Sequence, residues 1–254
     1  MRFGICTQIS RAEMVSKLGY DYLEVSAAGL AEMTDDEFEA FCAENAAAPI
    51  HAETTNCLFP GTIRLTGEEA DPHIIEEYID RVFSRMERVG IKVAVFGSSG
   101  SRNVPEGFDR AKAWEQLTAV GRMLGDKAAE HGITVALEPL RSGETNIINT
   151  QLEGLKLVRD VDHPSFKLLC DYYHLMQENG TAEDVRACGD SIVHIHIAKP
   201  DDRKAMYEGD GADYITFFKA LHDIGYDARI SFEGGADDYE TELPRMLKVL
   251  NTAK

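Results

Sequence analysis

Eight short apolar runs alternate with longer amphipathic stretches along this 254-residue chain. The strand-like runs fall at 2–8, 22–26, 49–54, 92–97, 134–138, 166–171, 192–197 and 229–233. Helical patterns follow at 12–18, 35–44, 72–89, 110–130, 150–161, 182–188, 214–224 and 240–252. Antiparallel strands can be joined by a tight turn, but parallel neighbours need a crossover, so strict alternation predicts a parallel sheet covered by helices. Eight such units predict an α/β chain folded as a (β/α)₈ TIM barrel, one domain over 1–254. The competing architecture, a doubly wound open sheet, usually carries a glycine-rich turn after its first strand. Here that strand runs into Cys6-Thr7-Gln8-Ile9-Ser10, which holds no glycine.

The second constraint is where the polar residues stop the strands. Val135-Ala136-Leu137 ends at Glu138, Leu168-Leu169-Cys170 at Asp171, Val193-His194-Ile195 at His196 and Ile230-Ser231-Phe232 at Glu233. Barrel enzymes place their chemistry at the C-terminal ends of the strands. A lone acid there is usually a helix cap or a solvated loop residue. Four on consecutive strands would leave ionised carboxylates crowded together, and burying them unpaired is expensive. A divalent cation relieves that cost. Three carboxylates and one imidazole suit Mn²⁺, Mg²⁺, Co²⁺ or Zn²⁺, with Mn²⁺ the first choice, and do not suit a soft thiolate-bound metal.

Other polar residues fall near the same mouth. His174 follows Asp171 by one helical turn and reads as a substrate contact, or as a cap for the next helix. Glu144, in the loop after Glu138, reads as a partner of a substrate hydroxyl or of His174, or as an exposed loop acid. Glu24 on the second strand and His51 on the third are expected to line the pocket and set specificity, unless each is satisfied within the barrel. His194 shares a face with His196 and reads as a supporting or packed core histidine. Arg102 and Arg203 are the anchors available to an anionic substrate group. Ser98-Ser99-Gly100-Ser101-Arg102 lacks the Lys-Ser/Thr pair of a phosphate loop.

Composition bounds the partners. With 26 basic and 44 acidic residues the net charge is -18, a surface that repels nucleic-acid backbones and anionic membranes. No run is apolar for long enough to cross a bilayer. The N-terminal residues read as a first strand rather than a signal peptide. Five scattered cysteines without a CxxC pair read as reduced thiols in a cytoplasmic protein.

Taken in order, LEPLRSGETN (137–146), CDYYH (170–174), HIHIAKP (194–200) and ISFEG (230–234) resemble the sugar phosphate isomerase/epimerase-like family of xylose isomerase-type barrels. Its members include ketose 3-epimerases, hydroxypyruvate isomerases and inosose dehydratases. The resemblance implies Glu138, Asp171, His196 and Glu233 as metal ligands, His174 as a substrate contact, and Glu144 as the carboxylate beyond the first ligand in ketose epimerases. It also implies a homodimer or homotetramer. The family's substrate-binding Arg position is Asp202 here, with Arg203 one place later. The expected reaction is isomerisation or epimerisation of a ketose or related polyol ketone through a metal-stabilised enediolate, with Glu138 and Glu233 as the opposed acid–base pair. An inosose-type dehydratase on the same scaffold is the alternative. An endonuclease IV-like phosphodiesterase would need further His and Asp ligands, and a purely binding barrel has no need of two opposed bases.

Overall fold

The computed structural model describes residues 1–253. Eight parallel strands close into a barrel in sequence order: β1 (Arg2–Cys6), β2 (Tyr22–Ser26), β3 (Ala52–Asn56), β4 (Val93–Phe96), β5 (Thr134–Leu137), β6 (Phe166–Asp171), β7 (Ile192–Ile197) and β8 (Arg229–Phe232), with β8 pairing back onto β1. The helices are α1 (Ala12–Lys17), α2 (Ala27–Glu32), α3 (Asp35–Ala47), α4 (Pro72–Val89), α5 (Ser99–Arg102), α6 (Arg110–Glu130), α7 (Gln151–Val161), α8 (Tyr172–Gln177), α9 (Ala182–Cys188), α10 (Tyr214–Asp223) and α11 (Tyr239–Leu250). Asp71 caps α4 through the backbone of His73 ahead of Pro72, as the sequence predicts.

The period-2 alternation of the strands divides their side chains between two environments. Phe3, Ile5, Leu168, Cys170, Ile195, Ile197, Ile230 and Phe232 pack in the main core shared with the helices. Val93, Val95, Ala136 and Leu169 form a separate apolar cluster contributed by β4, β5 and β6. Across the barrel, on β2, β3, β7 and β8, the buried residues include Glu24, Thr54, His194, His196 and Ser231. The barrel interior is therefore apolar on one side and polar on the other. Gly4 on β1 makes room for this arrangement: a Cβ there would lie 2.3 Å from the Tyr22 ring.

Two register shifts align the polar half. Between Leu168 and Leu169 the pairing of β6 with β7 slips by one residue, which sets Asp171 opposite His196. Between Leu23 and Glu24 the pairing of β2 with β3 slips likewise, setting Glu24 opposite Thr54. A one-residue slip changes which residues stand side by side, and such irregularities re-aim side chains near active sites.

The elements depart from the sequence reading at several bounds; β5 and β8, for example, end one residue before Glu138 and Glu233. The third strand starts at Ala52, later than the expected 49–54, because Asn45 binds its first residue: the Ala52 N–H donates to Asn45 Oδ1 at 2.8 Å. The short helices α2, α5 and α8 were not expected, being too brief to show a hydrophobic period. The first strand ends at Cys6, two residues before the expected 8.

Candidate metal centre

Glu138, Asp171, His196 and Glu233 come together at the mouth of the barrel. One ligand atom from each lies within 4.8 Å of all the others. His196 sits between the two glutamates, its Nδ1 3.1 Å from Glu138 Oε1 and 3.1 Å from Glu233 Oε2. Asp171 and His196 are fully buried and Glu138 nearly so. Such a convergence of hard oxygens around one imidazole nitrogen fits a divalent cation with mixed O/N preference. Gly97 at the end of β4 lets Glu138 occupy its position, since a Cβ there would lie 2.3 Å from Glu138 Oε2.

The charges are strongly coupled. Burial works against the charge on His196, but Glu24 and Glu233 outweigh it and hold the ring protonated well above the usual histidine range. A cation taking Nδ1 would release that proton, so occupancy of such a site rises with pH. Burial also opposes ionisation of Glu233, yet His196 and Arg203 bring it down to about 2. Glu138 is pushed up by burial and by the charge of Glu233. Asp171 rises to about 6 because burial outweighs the attraction of Arg203 and His196.

Behind His196 stands Glu24, expected to line the pocket unless satisfied within the barrel. Both of its oxygens are engaged within the barrel. Oε1 lies 2.7 Å from His196 Nε2. Oε2 accepts from Thr54 Oγ1 at 2.8 Å and Ser231 Oγ at 2.6 Å, and lies 2.8 Å from His194 Nε2. Burial raises its pKa, but the two histidines prevail and keep it a carboxylate well below the usual range. A carboxylate on the far nitrogen of a histidine fixes the ring and its tautomer, and Nδ1 would be the nitrogen left for a cation. Glu24 and His194 are 170 residues apart on strands that are not neighbours, so no local spacing reveals the pair.

His51 requires a clear correction. It precedes β3, at the end of the barrel opposite the mouth, and its exposed ring places Nδ1 2.7 Å from the Asn45 carbonyl. The expected strand began too early and carried His51 into it. The polar residue that β3 does bring to the mouth is Asn56, whose Nδ2 donates to Glu233 Oε1 at 3.1 Å. Its signal was available: Asn56 follows Thr54 by two residues and so shares its face.

His174 lies in α8, buried beside the centre. Its Nδ1 accepts the Arg141 N–H at 3.2 Å, which assigns the proton to Nε2. Nε2 is 3.5 Å from Asp171 Oδ2 but makes no hydrogen bond of good geometry among the described residues. Burial lowers the pKa of this ring, favouring the neutral form. A buried N–H without an acceptor suits a substrate oxygen. Glu144 does not bond His174. Its Oε1 accepts from Arg141 Nε at 2.8 Å and lies 3.6 Å from Arg203 Nη1.

Arg203 reaches the centre despite its shift in sequence. Its backbone is left-handed, φ 55°, inside a turn closed by Arg203 N–H on the Lys199 carbonyl and Lys199 N–H on that of Lys204. The guanidinium Nη2 lies 2.5 Å from Glu233 Oε2 and 3.3 Å from Asp171 Oδ2, and Cζ stands 4.9 Å from the Tyr173 ring centroid. Asp202 is instead paired with Lys199 at 3.0 Å.

The family model described as xylose isomerase-like TIM barrel matches residues 12–252. The chain belongs to that family. Among curated relatives, an L-ribulose 3-epimerase of Methylomonas sp. (strain DH-1) is 41% identical over 117 residues, covering 45% of this chain and 40% of that protein. A D-psicose 3-epimerase of Ruminiclostridium cellulolyticum is 25% identical over 227 residues, covering 87% of this chain and 76% of its own. In the first of these the match spans less than half of the relative's length. Among solved structures, a D-allulose 3-epimerase from Methylomonas sp. in complex with D-allulose superposes with a TM-score of 0.84 at 22% identity, over 100% of this chain and 97% of that one. That likeness establishes the barrel fold for this family member.

Proposed function

We propose that this chain is a divalent-metal-dependent sugar isomerase or epimerase that moves a proton at the carbon beside a carbonyl. The observation that carries the reading is the pair Glu138 and Glu233. They come from the ends of β5 and β8, each with an oxygen 3.1 Å from the same nitrogen of His196. Glu138, Asp171, His196 and Glu233 would hold the ion, Mn²⁺ first among the candidates. Bound there, it supplies Lewis acidity that polarises the carbonyl and offsets the charge of the enediolate.

The chain's own residues account for the rest. His174 presents Nε2–H to a substrate oxygen, Arg203 keeps the carboxylates of Glu233 and Asp171 turned inward, and Glu24 fixes the His196 ring. One of the two glutamates accepts the α-proton. The other delivers a proton to the opposite face of the same carbon, so the centre inverts and the pair ends with its protons exchanged. The same groups would serve isomerisation if the proton returned to the neighbouring carbon. Relatives named for 3-epimerisation of L-ribulose and D-psicose favour epimerisation of a keto sugar. A multi-ion phosphodiesterase gains no support: the second candidate cluster among the described residues, Cys6, Glu24 and His196, reuses a histidine and an engaged carboxylate of the first.

Incubating the Mn²⁺-loaded protein in D₂O with a panel of ketoses and inososes tests the reading by NMR. Deuterium should enter at the carbon beside the carbonyl together with an epimeric or isomeric product, and Glu233→Gln should slow it by about a hundredfold or more. Absence of exchange on every substrate, with metal binding intact, contradicts the proposal.

A further inference from the structure

A second group of potential ligands shares His196 with the metal centre. Cys6 Sγ on β1, a carboxylate oxygen of Glu24 on β2 and a ring nitrogen of His196 on β7 all lie within 4.8 Å of one another. That is close to the span of an ion with bonds of about 2.0–2.3 Å. Cys6 and Glu24 stand side by side as register partners on paired strands. Glu24 Oε2 is held by Thr54, Ser231 and His194. Oε1 has a single partner among the described residues, His196 Nε2 at 2.7 Å. The bonds on Oε2 therefore fix the carboxylate and leave Oε1 for an ion that takes the place of that one hydrogen bond. Cys6 is a free, half-buried thiol with no hydrogen-bond partner among the described residues.

The two groups differ in chemistry. Glu138, Asp171, His196 and Glu233 offer three carboxylates, one imidazole and no sulfur. Cys6, Glu24 and His196 offer one of each, the mix that Zn²⁺ accepts and that Mn²⁺ or Mg²⁺ does not favour. Cys6 and Glu24 also line a cavity of about 810 Å³ beside the centre, bordered by residues of β1, β2, α2, α3 and α11. That cavity gives an ion a way to the thiol. His196 links the two groups. A ring coordinated through Nε2 keeps its other proton on Nδ1, the atom 3.1 Å from both Glu138 and Glu233. Nδ1 then donates to those carboxylates and is closed to a metal.

We propose that Cys6, Glu24 and His196 form a second, inhibitory cation site for a thiophilic divalent ion, Zn²⁺ or Cd²⁺, that competes with the ion at the centre through the shared ring. The consequence for activity rests on the reading of the first centre as catalytic. Binding forms the bonds to sulfur, Oε1 and Nε2, and the thiol and Nε2 protons leave to solvent.

The test titrates the Mn²⁺-loaded protein with Cd²⁺. Thiolate-to-cadmium absorption in the near ultraviolet reports the sulfur bond, and electron paramagnetic resonance reports released Mn²⁺. The band should grow to one Cd²⁺ per chain while Mn²⁺ is released. Cys6→Ser should abolish the band and raise the Cd²⁺ concentration needed to release Mn²⁺ at least about tenfold, with Mn²⁺ affinity itself within about twofold of wild type. Asp171→Asn should keep the band, since it alters only the first group. Circular dichroism shows that each variant folds. Absence of the band, or a band of equal size in Cys6→Ser, overturns the site. Mn²⁺ release that is unchanged in Cys6→Ser, or Mn²⁺ retained at full band, overturns the competition. Absence of Mn²⁺ binding before Cd²⁺ is added overturns the catalytic reading, and the competition with it.

Discussion

Glu24 shows how much of a candidate site can depend on a residue standing behind the converging side chains. It is fully buried, yet it stays ionised because two histidines and two hydroxyls share its oxygens. Glu24→Gln keeps the shape but places a weaker, neutral acceptor behind His196 Nε2. Mn²⁺ affinity by calorimetry is expected to fall about 10–100-fold, the usual cost of losing the group behind a ligating histidine. Unchanged affinity would mean that the His196 ring is oriented by packing alone. At this scale the sequence was readable where a residue's place follows from its own strand. The four strand-terminal residues of the centre are of that kind, since each ends an apolar run. Glu24 and His194 are not, because their partner lies across the barrel, and a carboxylate reads the same in sequence whether it faces substrate or a histidine.

Among the elements, the strands were legible from alternation, but their registers were not. The slips between Leu168 and Leu169 and between Leu23 and Glu24 decide which polar residues meet, and nothing in either apolar run marks them. The misplaced start of β3 had a direct consequence: it assigned His51 to the pocket and hid Asn56. The opposite end of the barrel supplies a test of how β1, β3 and β8 are tied together. Glu53 accepts from Arg2 Nη1 at 2.5 Å and from Arg229 Nε at 2.8 Å. Burial pushes the Glu53 carboxyl up, but the two arginine hydrogen bonds outweigh it and its pKa is lowered. A carboxylate whose pKa is lower folded than unfolded stabilises the fold fully above the unfolded value, about 4.3, and loses that contribution as pH falls through the folded value. Glu53→Gln should therefore cost about 1–2 kcal/mol at pH 7, allowing for the exposure of Arg2. The gap between wild type and variant should close in urea titrations as the pH drops below the ordinary glutamate range. A gap that persists undiminished in acid would show that these arginines do not depend on the Glu53 charge.

For the whole molecule, a net charge of -18 coexists with a centre that gathers four carboxylates, Glu24, Glu138, Asp171 and Glu233. Arg203 and His196 offset part of that charge, and a divalent cation would offset more. No helix among the described residues is long and apolar enough to cross a membrane. The barrel was legible because strict strand–helix alternation leaves few topologies open. The cavity beside the centre was not, since it is shaped by α2, too short to show a hydrophobic period, and by how α3 and α11 pack beside it. The claim on which the functional account rests is that four strand ends make one metal site. Titrating the protein with Mn²⁺ while following the free ion by electron paramagnetic resonance tests it directly. The account predicts one tightly bound ion per chain, with binding weakened by at least about a hundredfold in Asp171→Asn and in His196→Ala while both variants remain folded. Tight binding that survives both substitutions would place the ion elsewhere and contradict the account.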